Sequence, residues 1–378
     1  MMHLVLIEHS TPEDLYPFTL THCTWELRHG AFTILERWRR TVPELSISVG
    51  SHRTTHALAF CERSGEVQDL PGLPTLVMVG HAVLSPSVML QIVEACRSRT
   101  TTVNITLSGQ IIGTYHPGSG SHLGPEGTDH IAVHGHLVTR LWQSFDHVAD
   151  AISWDAALLD RDGLSHVSPT ATVHPTAVLD TSHGPVVLLD HAVVRPYTVL
   201  TGPVVVGEHS LVQPFTSLTS TVLGPWVKVG GEVSHSVFQG YANKVHDGYV
   251  GHSYLNEWTN LGAGTTTSNL KNTYGHVRLQ MPWGREDSQR TFVGLLMGAH
   301  SKTAIGTLFS TGTTCGACSN ITLPAPSAVP SLWWGPTQEE YRIDDAIAVA
   351  KTVMARREMV LGPAMEAVLR ALRTRQSP

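Results

Sequence analysis

The stretch Leu188-Leu-Asp-His-Ala-Val-Val194-Arg-Pro-Tyr-Thr-Val-Leu200-Thr-Gly-Pro-Val-Val-Val206-Gly-Glu-His-Ser-Leu-Val212-Gln-Pro-Phe-Thr-Ser-Leu218 decides the fold. An aliphatic residue recurs every six positions, at Leu188, Val194, Leu200, Val206, Val212 and Leu218. That period is neither the helical 3.6 nor the two-residue alternation of a strand. It fits a triangular parallel β-helix, in which each hexad makes one flat face and one corner and the aliphatic residue enters a narrow prism. Three hexads complete a coil, and stacked coils share one continuous core. Gly, Asn, Asp and His suit the corners, where tight turns demand unusual dihedrals. The hexapeptide form coils left-handed, against the usual crossover rule. The competing architecture, an all-β sandwich with regular turns, does not hold a register this long.

Working outward, Val167 and Val173 begin the pattern, and Leu223 and Val229 continue it after a slip of one residue. Tyr249, Leu255 and Leu261 form a further run, and Val293, Ala299, Ile305, Thr311, Ala317 and Leu323 the last. The β-helix is therefore predicted over 165–330. The register breaks between Asn269 and Arg290, a polar segment that reads as a loop extruded from one coil. Long loops on rigid scaffolds are where function gathers.

Residues 1–145 read as α/β. Leu4–Ile7 and Leu76–Val79 are buried-strand runs, and Ala31–Arg40 and Val88–Cys96 have helical spacing. Such alternation predicts a mainly parallel sheet covered by helices, with antiparallel strands admitted between Arg99 and Val138. Residues 146–164 belong to a helical connector, read from Trp142 to Leu159. Residues 336–378 form a helical segment broken at Gly362-Pro363, predicted to pack on the β-helix or on a partner chain.

Composition agrees. Only 15% of residues are charged, with 33 Gly, 22 Pro and 23 His, which favours many short elements joined by turns. A formal charge of −6 argues against coating nucleic acid. No apolar stretch is long enough for a membrane span, and Met1–Ser10 lacks a basic region ahead of a signal core. The odd, sparse cysteines (Cys23, Cys61, Cys96, Cys315, Cys318) point to a reducing cytoplasm. Cys315-Gly-Ala-Cys318 is a single Cys-x-x-Cys inside the hexad register, read as packing rather than as zinc or redox chemistry. His174, His183, His191 and His209 are read as solvated turn residues. Arg356, Arg357, Arg370, Arg373 and Arg375 are read as a solvated helix face rather than as partners for coenzyme phosphates. Trp333-Trp334 reads as a cap or plug.

Two stretches carry a resemblance. Gly240-Tyr-Ala-Asn-Lys-Val-His-Asp-Gly-Tyr-Val-Gly-His252 and Asn260-Leu-Gly-Ala-Gly-Thr-Thr-Thr-Ser-Asn269 resemble the acyltransferase half of the bifunctional N-acetylglucosamine-1-phosphate uridyltransferase/glucosamine-1-phosphate N-acetyltransferase family. The likeness is to its shorter, alternative, Bacteroidetes-type form. Pro17-Phe-Thr-Leu-Thr21, Leu27-Arg28-His-Gly30, Gly294-Leu-Leu-Met-Gly-Ala-His-Ser-Lys302 and Met354-Ala-Arg-Arg357 extend it over almost the whole chain.

The resemblance implies a nucleotidyltransferase-like α/β domain followed by a trimeric left-handed β-helix that uses acetyl-CoA in UDP-amino-sugar synthesis. It implies that His246 is the catalytic base and that Tyr249, Asn260 and Asn269 line the sugar-phosphate site. Ala263 would lie beside the coenzyme thioester. Two positions depart from the family pattern: Leu270 stands for a Tyr and Ser234 for a Lys. Lys228, Lys244 and Arg278 are the candidates to supply the missing phosphate-binding charge. The chemistry needs these residue types, because a protonated sugar amine must lose a proton before attack and histidine titrates near the working pH. Asp247 stands next to His246 to orient or charge-tune it. Backbone N–H groups at the corners could stabilise the oxyanion.

In the first domain, Thr21, Arg28 and Gly80 are the nucleotide-binding candidates, with UTP and Mg²⁺ as the implied ligands. No Gly-rich loop follows the first strand, where Glu8-His-Ser-Thr-Pro-Glu-Asp-Leu stands, and no pair of metal-holding carboxylates is evident. Three readings stay open. One is a sugar-phosphate N-acetyltransferase fused to a sugar-1-phosphate nucleotidyltransferase-like domain. Another is an acyltransferase on a different amine or hydroxyl with a degenerate first domain. The third is a non-catalytic trimeric scaffold or nucleotide-sensing module.

Overall fold

The computed structural model describes every residue except 1, 9–13, 66–71, 119, 121–122, 125–128, 160–165, 323–324, 338 and 374–378. The first domain is built on a six-stranded sheet. Its order is Ser46–Gly50, His3–Ile7, Thr75–Val79, Gln110–His116, Val103–Leu107, Asp129–Val133. Five strands run in one direction and Gln110–His116 runs antiparallel to both its neighbours, so the sheet is mixed but mainly parallel, with its reversed strand inside the Arg99–Val138 segment that admits one. The local cause is a two-residue hairpin turn. Ser108 and Gly109 take φ of 50° and 83°, the positive pair that a type I′ turn requires.

Four helices cover this sheet or lead away from it: α1 (Ile34–Thr41), α2 (Thr54–Ser64), α3 (Pro86–Arg97) and α4 (Val148–Leu159). α1 starts three residues later than its periodicity suggests. A capping box ends it at Thr33, whose hydroxyl accepts from the Glu36 N–H while the Glu36 carboxylate accepts from the Thr33 N–H. The connector divides into a short 3₁₀ turn, Leu141–Phe145, and α4.

The second part is a stack of parallel coils. Three ladders of inward side chains fill the prism. One runs Leu188, Val206, Leu223, Phe238, Leu255, Met297, Cys315, Val329. The outward residues of this ladder (Val187, Val205, Val222, Val237, Tyr254 and Leu296) join the core of the first domain, so we call it the docked face. The second, the polar face, runs inward through Val194, Val212, Val229 and Lys244. Outward it presents Lys228, Asn243, Asn260, Lys302 and Asn320. The third, the open face, runs inward through Leu200, Leu218, Val233 and Val250.

The hexad spacing is thus correct, but its phase shifts along the chain. In the run from Val293 the inward residues are Met297, Thr303, Phe309, Cys315 and Ile321. Ala299 and Ala317 lie near corners, Ile305 is 75% exposed, and Leu323 lies outside the described residues. At the earlier run Val250 rather than Tyr249 points inward. Val167 is exposed because it belongs to the first described coil, and among the described residues no strand stacks beneath it.

The corners carry an unforeseen feature. His191, His209, Trp226, Tyr241, Trp258 and His300 all take positive φ (53° to 61°) at one edge, between docked and polar faces. Non-glycine residues there pay for a left-handed backbone. Ring stacking offsets it: His191–His209 at 4.7 Å, His209–Trp226 at 4.4 Å, Tyr241–Trp258 at 4.4 Å. His191 and His209 are therefore exposed turn residues at the corners, as expected, and in addition stack on one another.

Two helices close the chain, α5 (Ile343–Ala355) and α6 (Pro363–Arg370). α5 packs Ile347, Ala350 and Met354 in one cluster with Trp258, Cys318 and Leu332 of the β-helix. α6 lies on α2, and the Glu62 carboxylate accepts from the Ala364 and Met365 N–H groups at its start. The Trp334 and Tyr341 rings meet at 5.0 Å, tilted by 31°, at the last described coil.

Candidate functional site

The segment 269–292 is more ordered than a free loop. It forms an antiparallel hairpin, Arg278–Met281 with Gly284–Asp287. Val277, Leu279 and Met281 are buried in the first domain's core cluster. Arg140 holds Glu286 (2.8 Å) and Asp14 (2.7 Å), Arg290 holds Asp146, and Trp283 meets Tyr16 edge-on at 6.0 Å. One side of this excursion is thus a clamp between the two parts of the chain. Its other side walls a cleft.

That cleft has a volume of about 660 Å³ and lies between the hairpin and the open face. Lys271, Arg278 and Arg285 supply positive charge, and Ser268, Ser310 and Thr311 supply hydroxyls. Leu308 forms an apolar part of its wall. The size is that of a small-molecule site. Arg278 is among the expected phosphate partners; Lys271 and Arg285, from the same segment, join it only through the folded hairpin.

Beside the cleft stands a polar cluster. Asn269 lies between two cleft residues in sequence, and its amide donates to the Tyr249 hydroxyl at 3.0 Å. Tyr249 and Ser234 hydroxyls are 2.9 Å apart. Asn269 also contacts His252 Nδ1 at 2.9 Å. His252 stacks on His235 at 4.6 Å, and burial together with His235 lowers its pKa to about 4, so it is neutral at pH 7. His252 carries no signal of a role in the sequence; only the fold sets its ring beside Asn269.

The other expected residues fall elsewhere. His246 is exposed at the corner between polar and open faces, with Asp247 beside it. Ala263 occupies the same corner one coil on, since Asn243 pairs with Asn260. Asn260 itself lies on the polar face, where its Oδ1 accepts from Asn243 Nδ2 at 2.7 Å. Tyr249 and Asn269 are therefore brought together, and His246 and Ala263 are stacked, but Asn260 faces another side. Lys228 is half-buried on the polar face. Lys244 cannot meet a ligand from outside. It occupies an inward rung, and its ammonium donates to the Gly230 carbonyl (2.7 Å) and the His246 carbonyl (2.9 Å). Burial lowers its pKa to about 8, opposed by Asp247.

The three nucleotide candidates lie in packed surroundings. Arg28 donates through Nε to the Gln239 carbonyl (3.0 Å) and through Nη1 to the Ala31 carbonyl (2.5 Å). The Thr21 hydroxyl meets His22 Nδ1 at 2.9 Å and Asn256 Nδ2 at 3.4 Å. A Cβ on Gly80 would stand 2.8 Å from Thr24 Oγ1 and 3.1 Å from the Trp25 nitrogen, so close packing requires the glycine. All three are buried where the first domain meets the β-helix or its own 24–25 turn. At the carboxyl ends of the parallel strands, the usual ligand crevice, Glu8 is ion-paired with Arg53 and accepts from Ser51 and the Thr24 N–H. Residues 9–13 of the segment after the first strand lie outside the described residues.

His22 and Glu257 join the two parts directly, Nε2 to Oε2 at 3.3 Å. Burial alone would raise the Glu257 pKa, but His22 first, then Arg63 and Arg28, bring it down to about 2. Cys315 and Cys318 are buried free thiols pushed up to about 12 by burial, consistent with packing. Among the described residues no group of three or more His, Cys, Asp or Glu is gathered as for a metal ion. No helix there is long and apolar enough to cross a membrane.

Comparison with known proteins now bears on this geometry. Residues 4–163 match the family profile described as sugar nucleotidyl transferase. A curated relative, the bifunctional sugar-1-phosphate nucleotidylyltransferase/acetyltransferase of Sulfurisphaera tokodaii, is 33% identical over 90 residues. That alignment spans 24% of this chain and 22% of the relative's length. A solved structure from Bacillus cereus, described as an acetyltransferase, aligns over 56% of this chain and 96% of its own. The identity there is 13% and the TM-score 0.26.

Proposed function

We propose that this chain is an acetyl-CoA-dependent acyltransferase whose acceptor is the amine of a sugar phosphate, joined to a sugar-nucleotidyltransferase-like domain, in UDP-amino-sugar synthesis. The observation that carries the reading is the cleft of about 660 Å³ lined by Lys271, Arg278 and Arg285, flanked by the bonded pair Tyr249–Asn269. Its donors suit a phosphate and sugar hydroxyls, through Arg forks and through Ser and Thr hydroxyls. They fit the phosphates of the coenzyme equally well. Acetyl-CoA supplies the activated acyl group when bound.

In this reading His246 takes the proton of the sugar ammonium, and Asp247 tunes its imidazole. Tyr249 and Asn269 orient the sugar. The Ala263 corner presents backbone toward the acyl carbonyl. Because His246 and Asn260 do not converge with Tyr249 and Asn269 on one face, the working site is assigned to a cleft between copies in a homotrimer. Exposed Tyr197, Phe215, Ile305 and Leu308 on the same edge and face support such an assembly. The site is expected to work in the cytoplasm.

The decisive assay follows acetyl-CoA-dependent consumption of glucosamine 1-phosphate together with UTP-dependent pyrophosphate release. His246→Ala should cut acetyl transfer by about two to four orders of magnitude. Full activity in that variant removes the assignment, and His252→Ala then tests the neighbouring imidazole. Light scattering that finds an active monomer contradicts the trimer.

The Glu8–Arg53 pair favours a second reading, in which the first domain has lost nucleotide turnover and the acceptor is another amine or hydroxyl. An acid stands where a triphosphate would come. Saturable micromolar binding of UTP with Mg²⁺ would exclude it. A scaffold or sensor without catalysis is excluded by any acetyl transfer that His246→Ala abolishes.

A further inference from the structure

We propose that Lys228, Arg356 and Arg357 form a second anion site, on the polar face of the β-helix, for the phosphate or diphosphate group of a small molecule. This goes beyond the acyl-transfer reading and does not depend on it.

The end of α5 builds the site. Glu358 takes φ 58°, and the Glu358 and Met359 N–H groups return to the Ala355 and Met354 carbonyls at 3.0 and 3.1 Å. This left-handed cap stops the helix and fixes the last turn, which bears Arg356 and Arg357. The buried Met354 anchors the same turn against the β-helix. The Arg357 guanidinium lies over the Trp226 ring, 5.6 Å from its centroid. Lys228 begins the polar-face strand two residues after Trp226 and is followed up the ladder by Asn243. Three cations from two elements separated widely in sequence therefore meet at one place.

What sets them apart is that they are gathered together. Several arginines of the fold are matched with carboxylates: Arg37 with Asp155, Arg53 with Glu8, Arg140 with Glu286 and Asp14, Arg290 with Asp146, Arg370 with Glu366 and Asp344. Among the described residues, no carboxylate makes an ion pair with Lys228, Arg356 or Arg357. Lys228 and Arg357 both have their pKa lowered, first by burial and then by the neighbouring cations. Favourable charge at a helix C-terminus accounts for an arginine on α5, but Lys228 is not on that helix. Holding like charges together in a chain of net charge −6 costs free energy that a bound anion returns.

The geometry also limits the ligand. Arginine forks match phosphate oxygens in pairs. Trp226 has one ring face on His209 at 4.4 Å and the other under Arg357, so no face is left to stack a base. The site grips charge and ignores the base. Two sources share that chemistry: the phosphates of coenzyme A and those of a nucleoside diphosphate.

The test is calorimetric titration of the full chain with inorganic pyrophosphate, coenzyme A and UDP, in an Arg278→Gln background that weakens the cleft. Lys228→Gln and Arg356→Gln leave the Arg357–Trp226 contact in place, and a melting curve checks their folding. Each should weaken pyrophosphate binding by about tenfold, as expected for loss of one charge-assisted hydrogen bond. Parallel loss for coenzyme A alone names the coenzyme as the source, and loss for UDP alone names a nucleotide. Folded variants that bind pyrophosphate within twofold of the background protein overturn the proposal, whatever the outcome of the acetyl-transfer assay.

Discussion

Lys244 condenses the chemistry of a single position. Its neighbours on the inward ladder are Val229 and Leu261, yet it puts an ammonium into the prism and satisfies it on two carbonyls, one of them that of His246. A buried cation so held supports the corner that carries the proposed base. Lys244→Met should leave both carbonyls unpaired and cost about 1–3 kcal/mol in urea unfolding. The pH dependence has a definite sign. Between the native value of about 8 and the ordinary 10.5, the unfolded chain still carries the proton that native Lys244 has shed. Stability from this residue therefore rises with pH across that window, and the rise is absent in Lys244→Met. Melting temperatures of both proteins at pH 7.5 and 10 check it. The stacked corner residues make the complementary point: rings accept a left-handed backbone when the next coil supplies a second ring.

At the scale of elements, the 278–287 hairpin changes meaning once its surroundings are known. Its sequence is polar and irregular, and alone it reads as an exposed functional loop. Leu279 and Met281 alternate toward a core made by another part of the chain, while Arg278 and Arg285 remain on the cleft side. Leu279→Ala is expected to destabilise by about 2–5 kcal/mol, the range for a fully buried leucine, read by denaturant titration. Arg278→Gln should leave stability within about 0.5 kcal/mol, because its ion pair with Asp287 is exposed, and raise the KM for a phosphorylated substrate. If the two variants exchange these effects, the division of the hairpin into a clamping side and a ligand side is wrong.

For the whole molecule, docking is the main result. Residues from the docked face of the β-helix sit in the first domain's core, and α6 binds α2. One cooperative melting transition is expected, and two separated calorimetric peaks would contradict this. Glu257 makes the junction sensitive to acid. Its carboxylate is held near 2 against an ordinary 4.5, so its contribution is complete above about pH 4.5 and is lost as pH falls toward 2. Glu257→Gln should remove that acid step from the stability profile. Thr21 and Arg28, the nucleotide candidates, make hydrogen bonds to Asn256 and Gln239 across this junction.

The amino-acid sequence by itself determined the β-helix, because hexad spacing reports a local repeat that each coil imposes on its neighbour. It also determined the strand and helix nuclei of the first domain, whereas the stacking of His246 and Ala263 at one corner is set by the coil-to-coil register. Tertiary structure alone decided the phase of the last coils, since slips and the excursion before Val293 move the inward residue without altering the spacing. It alone decided that Lys244 turns inward, that Thr21 and Arg28 are buried, and that Lys271 and Arg285 join Arg278. Those outcomes depend on contacts between residues far apart in the chain, and such contacts leave no local period to read.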